Sequence, residues 1–376
     1  MKKKKRRVNK KRIYILTGGL ILTILLLVLG IFGIIKGVKS YLTNREIKKE
    51  AERIAQRNSP EALEHYKTLG VNELGELPIF MYHGIYDMKD SETEYTGGNV
   101  DVDGYSRTAE SFKKDLERLY DRGYYLIRLE DYLNGIIDVP EGKSPAILTF
   151  DDGGRNAGCS ELDKNGDPIF DKNCAIDVLE QFKKDHPDTN VTATFFLNST
   201  GFDDSPYNKE VLEWMIENGY DIGSHTISHA NLSQCDAKTI QEQVGGMQQI
   251  LEEWIPGKWV KVLAKPYGEP VSLDDDPVYE YIKQGSYNGI DYTVPASLLC
   301  SWTNQESVFA STYDPHYIKR IRAYYAGGAN FDIEYNLNLL TDDVRYISDG
   351  DKDTIVYPKN TSVKLGNSFD KQVITY

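Results

Sequence analysis

The sequence predicts an α/β fold, a parallel sheet or barrel with its helices outside. Three observations carry that expectation. Strand-like and helix-like stretches alternate from residue 77 to residue 264, the rhythm of parallel β-α-β units. An apolar, β-rich run, Ala146-Ile147-Leu148-Thr149-Phe150, ends in Asp151-Asp152-Gly153-Gly154. A second strand-like stretch, Gly219 to Ser224, runs straight into His225-Thr226-Ile227-Ser228-His229. Parallel α/β sheets place their chemistry at the carboxyl ends of strands, and both motifs fall there.

The elements follow in chain order. Nine Lys/Arg occupy residues 1–12, and no Asp or Glu precedes Glu46. Ile13 to Ile35 is then a run of 23 uncharged, mostly apolar residues. As a helix it would measure about 35 Å, enough to cross a bilayer core. The basic flank places its N-terminal end in the cytoplasm. A cleaved signal peptide would have a shorter apolar core and a small-residue cleavage site, and Lys36-Gly37-Val38-Lys39 offers none. The expectation is a cytoplasmic tip over 1–12, a single transmembrane anchor over 13–35 and everything beyond outside the cell.

Residues 36–76 are rich in Glu, Lys, Arg and Ala and read as a charged helical stalk broken at Ser59-Pro60. The whole chain carries −13, but without the basic tip, Lys36 and Lys39 it holds 33 basic against 57 acidic residues, a net −24. That excludes nucleic acid as a partner of the main body, because phosphate binding needs a basic surface.

The folded domain is expected over 77–330. Ile79 to Tyr82 reads as a first strand with His83 at its carboxyl end. Thr108 caps a helix whose apolar residues Phe112, Leu116 and Leu119 are four and three apart, and Gly123 closes it. Strands follow over 124–129, 146–150, 191–197, 220–224 and 260–264, with helices over 130–135, 175–185, 208–218 and 236–254. Residues 331–376, with β-like stretches at 354–357 and 373–374, read as a small C-terminal appendage or barrel-edge strands. Between Gly158 and Ala175 an insertion reads as a polar hairpin bracketed by Cys159 and Cys174. Four cysteines outside the cell predict disulfides, with Cys159–Cys174 the most economical pair and Cys235–Cys300 remaining. Asp163, Asn165 and Asp167 have a calcium-like spacing, but Pro168 and Cys174 stand where a calcium loop needs Gly and Glu.

Two adjacent carboxylates repel unless a cation or a shared proton relieves them, so Asp151-Asp152 signals either a metal site or a dyad. The histidine pair tips the balance. If a helical turn follows the strand, His225 and His229 lie on one face, and with one carboxylate they make a two-His-one-carboxylate site with open positions. A zinc peptidase would need His-Glu-x-x-His, and the Glu is absent. A glycosidase using paired carboxylates would leave both histidines without a task.

Together these stretches resemble the polysaccharide deacetylases of carbohydrate esterase family four. The matching residues are Met81 to Ile85 (MYHGI), Thr149 to Gly154 (TFDDGG), Ala193 to Asn198 (ATFFLN), Gly219 to His229 (GYDIGSHTISH) and Lys265 to Gly268 (KPYG). The resemblance covers roughly residues 77–325. It implies a distorted (β/α) barrel and metal-dependent removal of acetyl groups from an acetylated glycan, with N-acetylglucosamine units first in order. By it, Asp152, His225 and His229 hold a divalent ion, zinc ahead of cobalt, nickel or iron. Asp151 is the general base, and the backbone N–H of Tyr267 helps hold the oxyanion. The alternative is a non-catalytic glycan-binding module on the same fold.

The chain departs from the pattern twice. Lys265 stands where many members carry an arginine that orients the base, and an ammonium cannot copy a bidentate guanidinium. The late Leu-x-His segment that supplies the catalytic acid in many members is absent. The branch that carries Met-Tyr-His resembles exopolysaccharide deacetylases that use the early histidine, which makes His83 the candidate acid. Trp302 is a candidate for stacking on sugar rings.

Overall fold

The computed structural model describes residues 48–49, 51–202, 205–329 and 331–376. The basic tip and the membrane anchor expected over 1–35 lie outside the described residues. Among the described residues, no helix is long and apolar enough to cross a membrane. Residues 51–57 are helical, and Ser59 opens the next helix, its Oγ accepting the Ala62 N–H at 3.2 Å. Glu64–Tyr376 forms one compact unit.

Eight strands build the main sheet of that unit: β1 (Ile79–Tyr82), β2 (Tyr124–Leu126), β3 (Ser144–Phe150), β4 (Thr194–Leu197), β5 (Asp221–Ser224), β6 (Val262–Ala264), β7 (Ala296–Leu298) and β8 (Ile321–Arg322). Their order is β7-β6-β5-β4-β3-β1-β8, with β2 pairing the first residues of β3. Every pairing is parallel. The sheet curls until its ends approach each other through two parallel bridges, Leu298 to Ile318 and Ser301 to Ile321. This curled parallel sheet agrees with a (β/α) barrel. Short strands explain why the ring joins by bridges instead of a full ladder at this seam: β7 has three residues and β8 two.

Alternation of side chains puts Phe80, Tyr82, Leu148, Phe150, Phe195 and Leu197 on one face, where they pack with the helices. Phe150 and Phe195 stack at 4.7 Å between ring centroids. Ile79, Ile147, Phe196, Ala264, Leu298 and Ile318 belong to a separate apolar cluster. The helix Ala109–Asp121 buries Phe112, Leu116 and Leu119 as the spacing demanded, and Thr108 accepts the Ser111 N–H at 3.1 Å.

Residues 71–76, at the end of the expected stalk, belong to the compact unit. Val71 and Leu74 are buried, and Asn72 bridges Ile347. Glu73 is buried too, its carboxyl accepting the Val356 N–H at 2.7 Å. Residues 354–357 and 372–375 form a parallel two-stranded ladder beside this segment. Burial raises the Glu73 carboxyl well above the carboxylate range, with Asp349 adding to the rise.

The insertion is an antiparallel hairpin, Cys159–Leu162 with Pro168–Phe170. The disulfide expectation is corrected, because all four cysteines are free thiols. Both bracketing sulfurs have other partners. Cys174 Sγ accepts the Asp177 N–H at 3.5 Å, capping the helix Ala175–Asp185, and the Cys159 thiol donates to the Glu161 carbonyl at 3.1 Å.

Candidate metal centre

Asp151, Asp152, His225 and His229 meet at the carboxyl ends of β3 and β5, which flank β4. Asp151 continues the ladder, its N–H donating to the Tyr82 carbonyl at 2.9 Å. The chain then turns sharply, with Asp152 at φ 71° and Gly153 at φ 70°. Gly153 is needed twice over. Its φ favours glycine, and a Cβ there would sit 2.3 Å from the Gly201 carbonyl oxygen. This turn points the two carboxylates apart. Asp151 is buried, whereas the Asp152 side chain is 44% exposed.

The two histidines converge differently from the helical turn the sequence suggested. Residues 226–228 form a tight turn in which Thr226 (φ 67°) and His229 (φ 56°) both take left-handed backbone. A β-branched threonine rarely adopts that region, so the turn stores strain. Asn198 holds it in place, its Nδ2 donating to the carbonyls of His225 (2.7 Å) and Thr226 (3.1 Å). The imidazoles end 4.9 Å apart, centroid to centroid.

His225 Nδ1 lies 2.8 Å from the Ala264 carbonyl. A carbonyl can only accept, so Nδ1 carries a proton, and Nε2 is the nitrogen that offers its lone pair to a cation when the ring is neutral. That Nε2 is buried with no hydrogen-bond partner, 3.3 Å from Asp152 Oδ1. His229 Nε2 is 3.6 Å from the same oxygen. One ligand atom from each of the three lies within 4.8 Å of the others. An orphaned buried nitrogen lone pair facing a carboxylate and a second imidazole fits a divalent cation. Burial would raise the Asp152 carboxyl, but His225, His83 and His229 together bring it well below the carboxylate range.

His83 and Tyr267 border this cluster. His83 Nε2 is 3.9 Å from Asp152 Oδ2, and the ring packs edge-on against Tyr105 at 4.9 Å. Burial lowers its pKa, opposed by Asp151 and Asp152. Tyr267 lies in the turn after β6 at φ 61°, 60% exposed, with its ring 4.6 Å from that of His229. The turn is drawn against the segment that follows β7, and a Cβ on Gly268 would meet the Cys300 backbone nitrogen at 2.4 Å.

Lys265 is buried but turns away from Asp151, its Nζ donating to the Pro270 carbonyl at 2.5 Å. Burial pushes its pKa down to about 8. The guanidinium comes from Arg320, which precedes β8. Its Nη1 lies 2.7 Å from Asp151 Oδ1 and its Nη2 2.8 Å from Oδ2. Its Nε donates to the Leu299 carbonyl at 2.9 Å, and Nη1 also reaches Thr149 Oγ1 at 3.1 Å. Burial would raise Asp151, but the Arg320 charge outweighs it and holds the carboxyl below its ordinary value. Sequence reasoning missed Arg320 because it lies 169 residues from its partner with no motif around it. The one available signal was an arginine in the short Ile318-Lys319-Arg320-Ile321-Arg322 run.

Residues 138–288 match the family model described as polysaccharide deacetylase. A chitooligosaccharide deacetylase from Sinorhizobium fredii is 27% identical over 138 residues, 37% of this chain and 54% of the relative. A peptidoglycan-N-acetylglucosamine deacetylase from Bacillus cereus is 28% identical over 130 residues, 35% of this chain and 38% of the relative. The chain thus spans about half or less of the length of these curated relatives. Among solved structures, the Streptococcus pyogenes deacetylase PplD in complex with acetate aligns with a TM-score of 0.46 at 18% identity, covering 66% of this chain and 92% of the other. Asp151, Asp152, His225, His229 and Tyr267 lie inside the matched segment; His83 and Arg320 lie outside it.

Proposed function

From the premise that residues 138–288 are a polysaccharide deacetylase segment, we propose that this chain hydrolyses acetyl groups from N-acetylglucosamine units of a polysaccharide at the cell surface. The observation that carries the reading is the buried, unpartnered His225 Nε2 facing Asp152 and His229, beside a second carboxylate gripped by an arginine. Asp152, His225 and His229 hold a divalent ion, with zinc first in order for such a donor set. When bound, the ion polarises the acetyl carbonyl and lowers the pKa of a coordinated water.

The chain's own residues divide the proton work. Asp151, kept ionised and oriented by Arg320, accepts the proton of the attacking water. The Tyr267 backbone N–H, set at the edge of the site by its left-handed turn, donates to the developing oxyanion. His83, its Nε2 3.9 Å from Asp152 Oδ2, delivers a proton to the leaving amine. The apolar run over 13–35 would tether the domain to the membrane with the site outside.

The test is acetate release by the full chain from peptidoglycan, poly-N-acetylglucosamine and chitin oligomers, before and after chelation and metal replacement. Release that stops with chelator and returns with zinc or cobalt is expected. No acetate from any glycan would leave the non-catalytic glycan-binding reading in its place.

A further inference from the structure

Arg320, just before β8, and Arg322, in β8, alternate onto one face, and among the described residues only Arg320 forms an ion pair. Arg320 is buried and paired with Asp151. Arg322, two residues on, pairs in register with Met81, two residues before His83. It therefore points the same way as Arg320 but one step nearer the mouth of the sheet. Its guanidinium carbon lies 4.2 Å from the Tyr324 ring, 4.4 Å from Trp302 and 5.4 Å from Tyr105. Tyr105 is also the ring packed against His83, so the aromatic cage begins where the candidate catalytic cluster ends. Trp302 is 44% exposed, which leaves the cage open to solvent. The bridge from Ser301 to Ile321 fixes Trp302 and Arg322 side by side on paired backbone.

We propose that Arg322 is an anion-binding residue at the rim of the site, and that the glycan accepted there carries a carboxylate or phosphate close to the sugar being deacetylated. This rests on the deacetylase reading above. Aromatic rings contact the faces of a guanidinium; Tyr105 takes one hydrogen bond from Arg322, and the other Nη hydrogens are left for a ligand. Those hydrogens match a planar or tetrahedral oxyanion through two parallel hydrogen bonds. No ion pair to Arg322 is found among the described residues, and its Nε is buried without a partner there. A shielded cation without a counter-charge is costly, and an incoming anion removes that cost. The local charges leave room for one. Asp151 is paired with Arg320, Asp152 would be neutralised by its metal, and Asp103, whose charge reaches Tyr105, forms no ion pair with Arg322, so among the described residues Arg322 has no direct counter-charge.

The experiment compares metal-loaded wild type with Arg322→Gln and Arg322→Lys on three oligomers of equal length. One is neutral N-acetylglucosamine, one bears a lactyl carboxylate on alternate sugars, and one bears a phosphodiester. The readouts are kcat and KM for acetate release and calorimetric binding of each oligomer. Wild type should prefer one anionic oligomer, and the arm preferred identifies carboxylate or phosphate. In Arg322→Gln the ratio of kcat/KM for that oligomer over the neutral one should fall by roughly 10–100-fold, mostly through KM, the range expected for losing a charged two-point contact. Arg322→Lys keeps the charge without the fork and should recover only part of the ratio. Added salt should erode the wild-type preference. An unchanged ratio in both variants, or no anionic preference in wild type, overturns the proposal. No acetate from any oligomer, with anionic binding present in wild type and lost in Arg322→Gln, would sink the deacetylase reading and leave the anion site standing.

Discussion

Arg320 grips Asp151 with two nearly parallel hydrogen bonds of 2.7 and 2.8 Å, and neither side chain is exposed to solvent. Removing one member of such a pair strands the other. Arg320→Ala should destabilise the fold by about 3–5 kcal/mol, read from the denaturation midpoint. Arg320→Lys keeps a charge but loses the fork, so its kcat should drop by roughly 10–100-fold while its metal content stays at wild-type level. Wild-type kcat in Arg320→Lys would show that the base does not depend on this geometry.

The adjacent aspartates should separate by their consequences. Asp151→Asn keeps the shape and removes proton-accepting capacity, so it should bind metal normally and lose acetate release by ~10²–10⁴-fold. Asp152→Asn should lose metal first, and excess metal should partly restore it. Metal analysis beside kcat decides the matter; loss of metal in Asp151→Asn would reverse the two roles.

The leaving group offers a test of the proposed acid role of His83. His83→Ala should retain its metal and lose most of its activity on an N-acetyl substrate. An activated aryl acetate needs no proton on departure, so its hydrolysis should suffer far less. Equal losses on both substrates would rule out the acid role.

Asp221 predicts a pH dependence of stability away from the site. It starts β5, buried against Arg128 Nε at 2.8 Å, and its Oδ2 has no partner among the described residues. Burial pushes its carboxyl from 3.8 up to about 6, with Arg128 only partly opposing. The folded state thus binds the proton more tightly than the unfolded one. The corresponding stability is full below pH 4 and is lost as pH rises through about 6, by at most roughly 3 kcal/mol. Subtracting the Asp221→Asn midpoint curve from the wild-type curve should reveal that slope between pH 4 and 6. A flat difference would reject it.

The N-terminal run gives a prediction about topology. Full-length protein should stay with membranes, and protease added to intact cells should remove the domain beyond residue 40. Complete protection of that domain in intact cells would refute the orientation.

Much of the curled parallel sheet was legible because each signal was local. The helix Ala109–Asp121 shows in the spacing of Phe112, Leu116 and Leu119, and β3 shows as an unbroken apolar run buried along its whole length. Asp151, Asp152, His225 and His229 were readable because each pair is contiguous or four apart and follows a strand. The cysteine pairing failed because sequence gives no distances: the sulfurs of Cys159 and Cys174 are engaged by nearby backbone groups instead. The His225–His229 turn was misread as helical, because nothing local announces a threonine in left-handed backbone.

The sequence by itself determined which chemistry the chain carries: two carboxylates and two imidazoles at strand ends, in an acidic body behind an apolar N-terminal run. Tertiary structure decided what surrounds that chemistry. Lys265 and Arg320 are 55 residues apart in sequence, and only the curling of the sheet brings the arginine, and not the lysine, onto Asp151. The same closure sets Trp302, Tyr105 and Tyr324 around Arg322. Periodicity records what a residue needs from its neighbours in the chain. It is silent on partners that meet across the seam of a closing sheet, because that meeting depends on strand order, register and twist together.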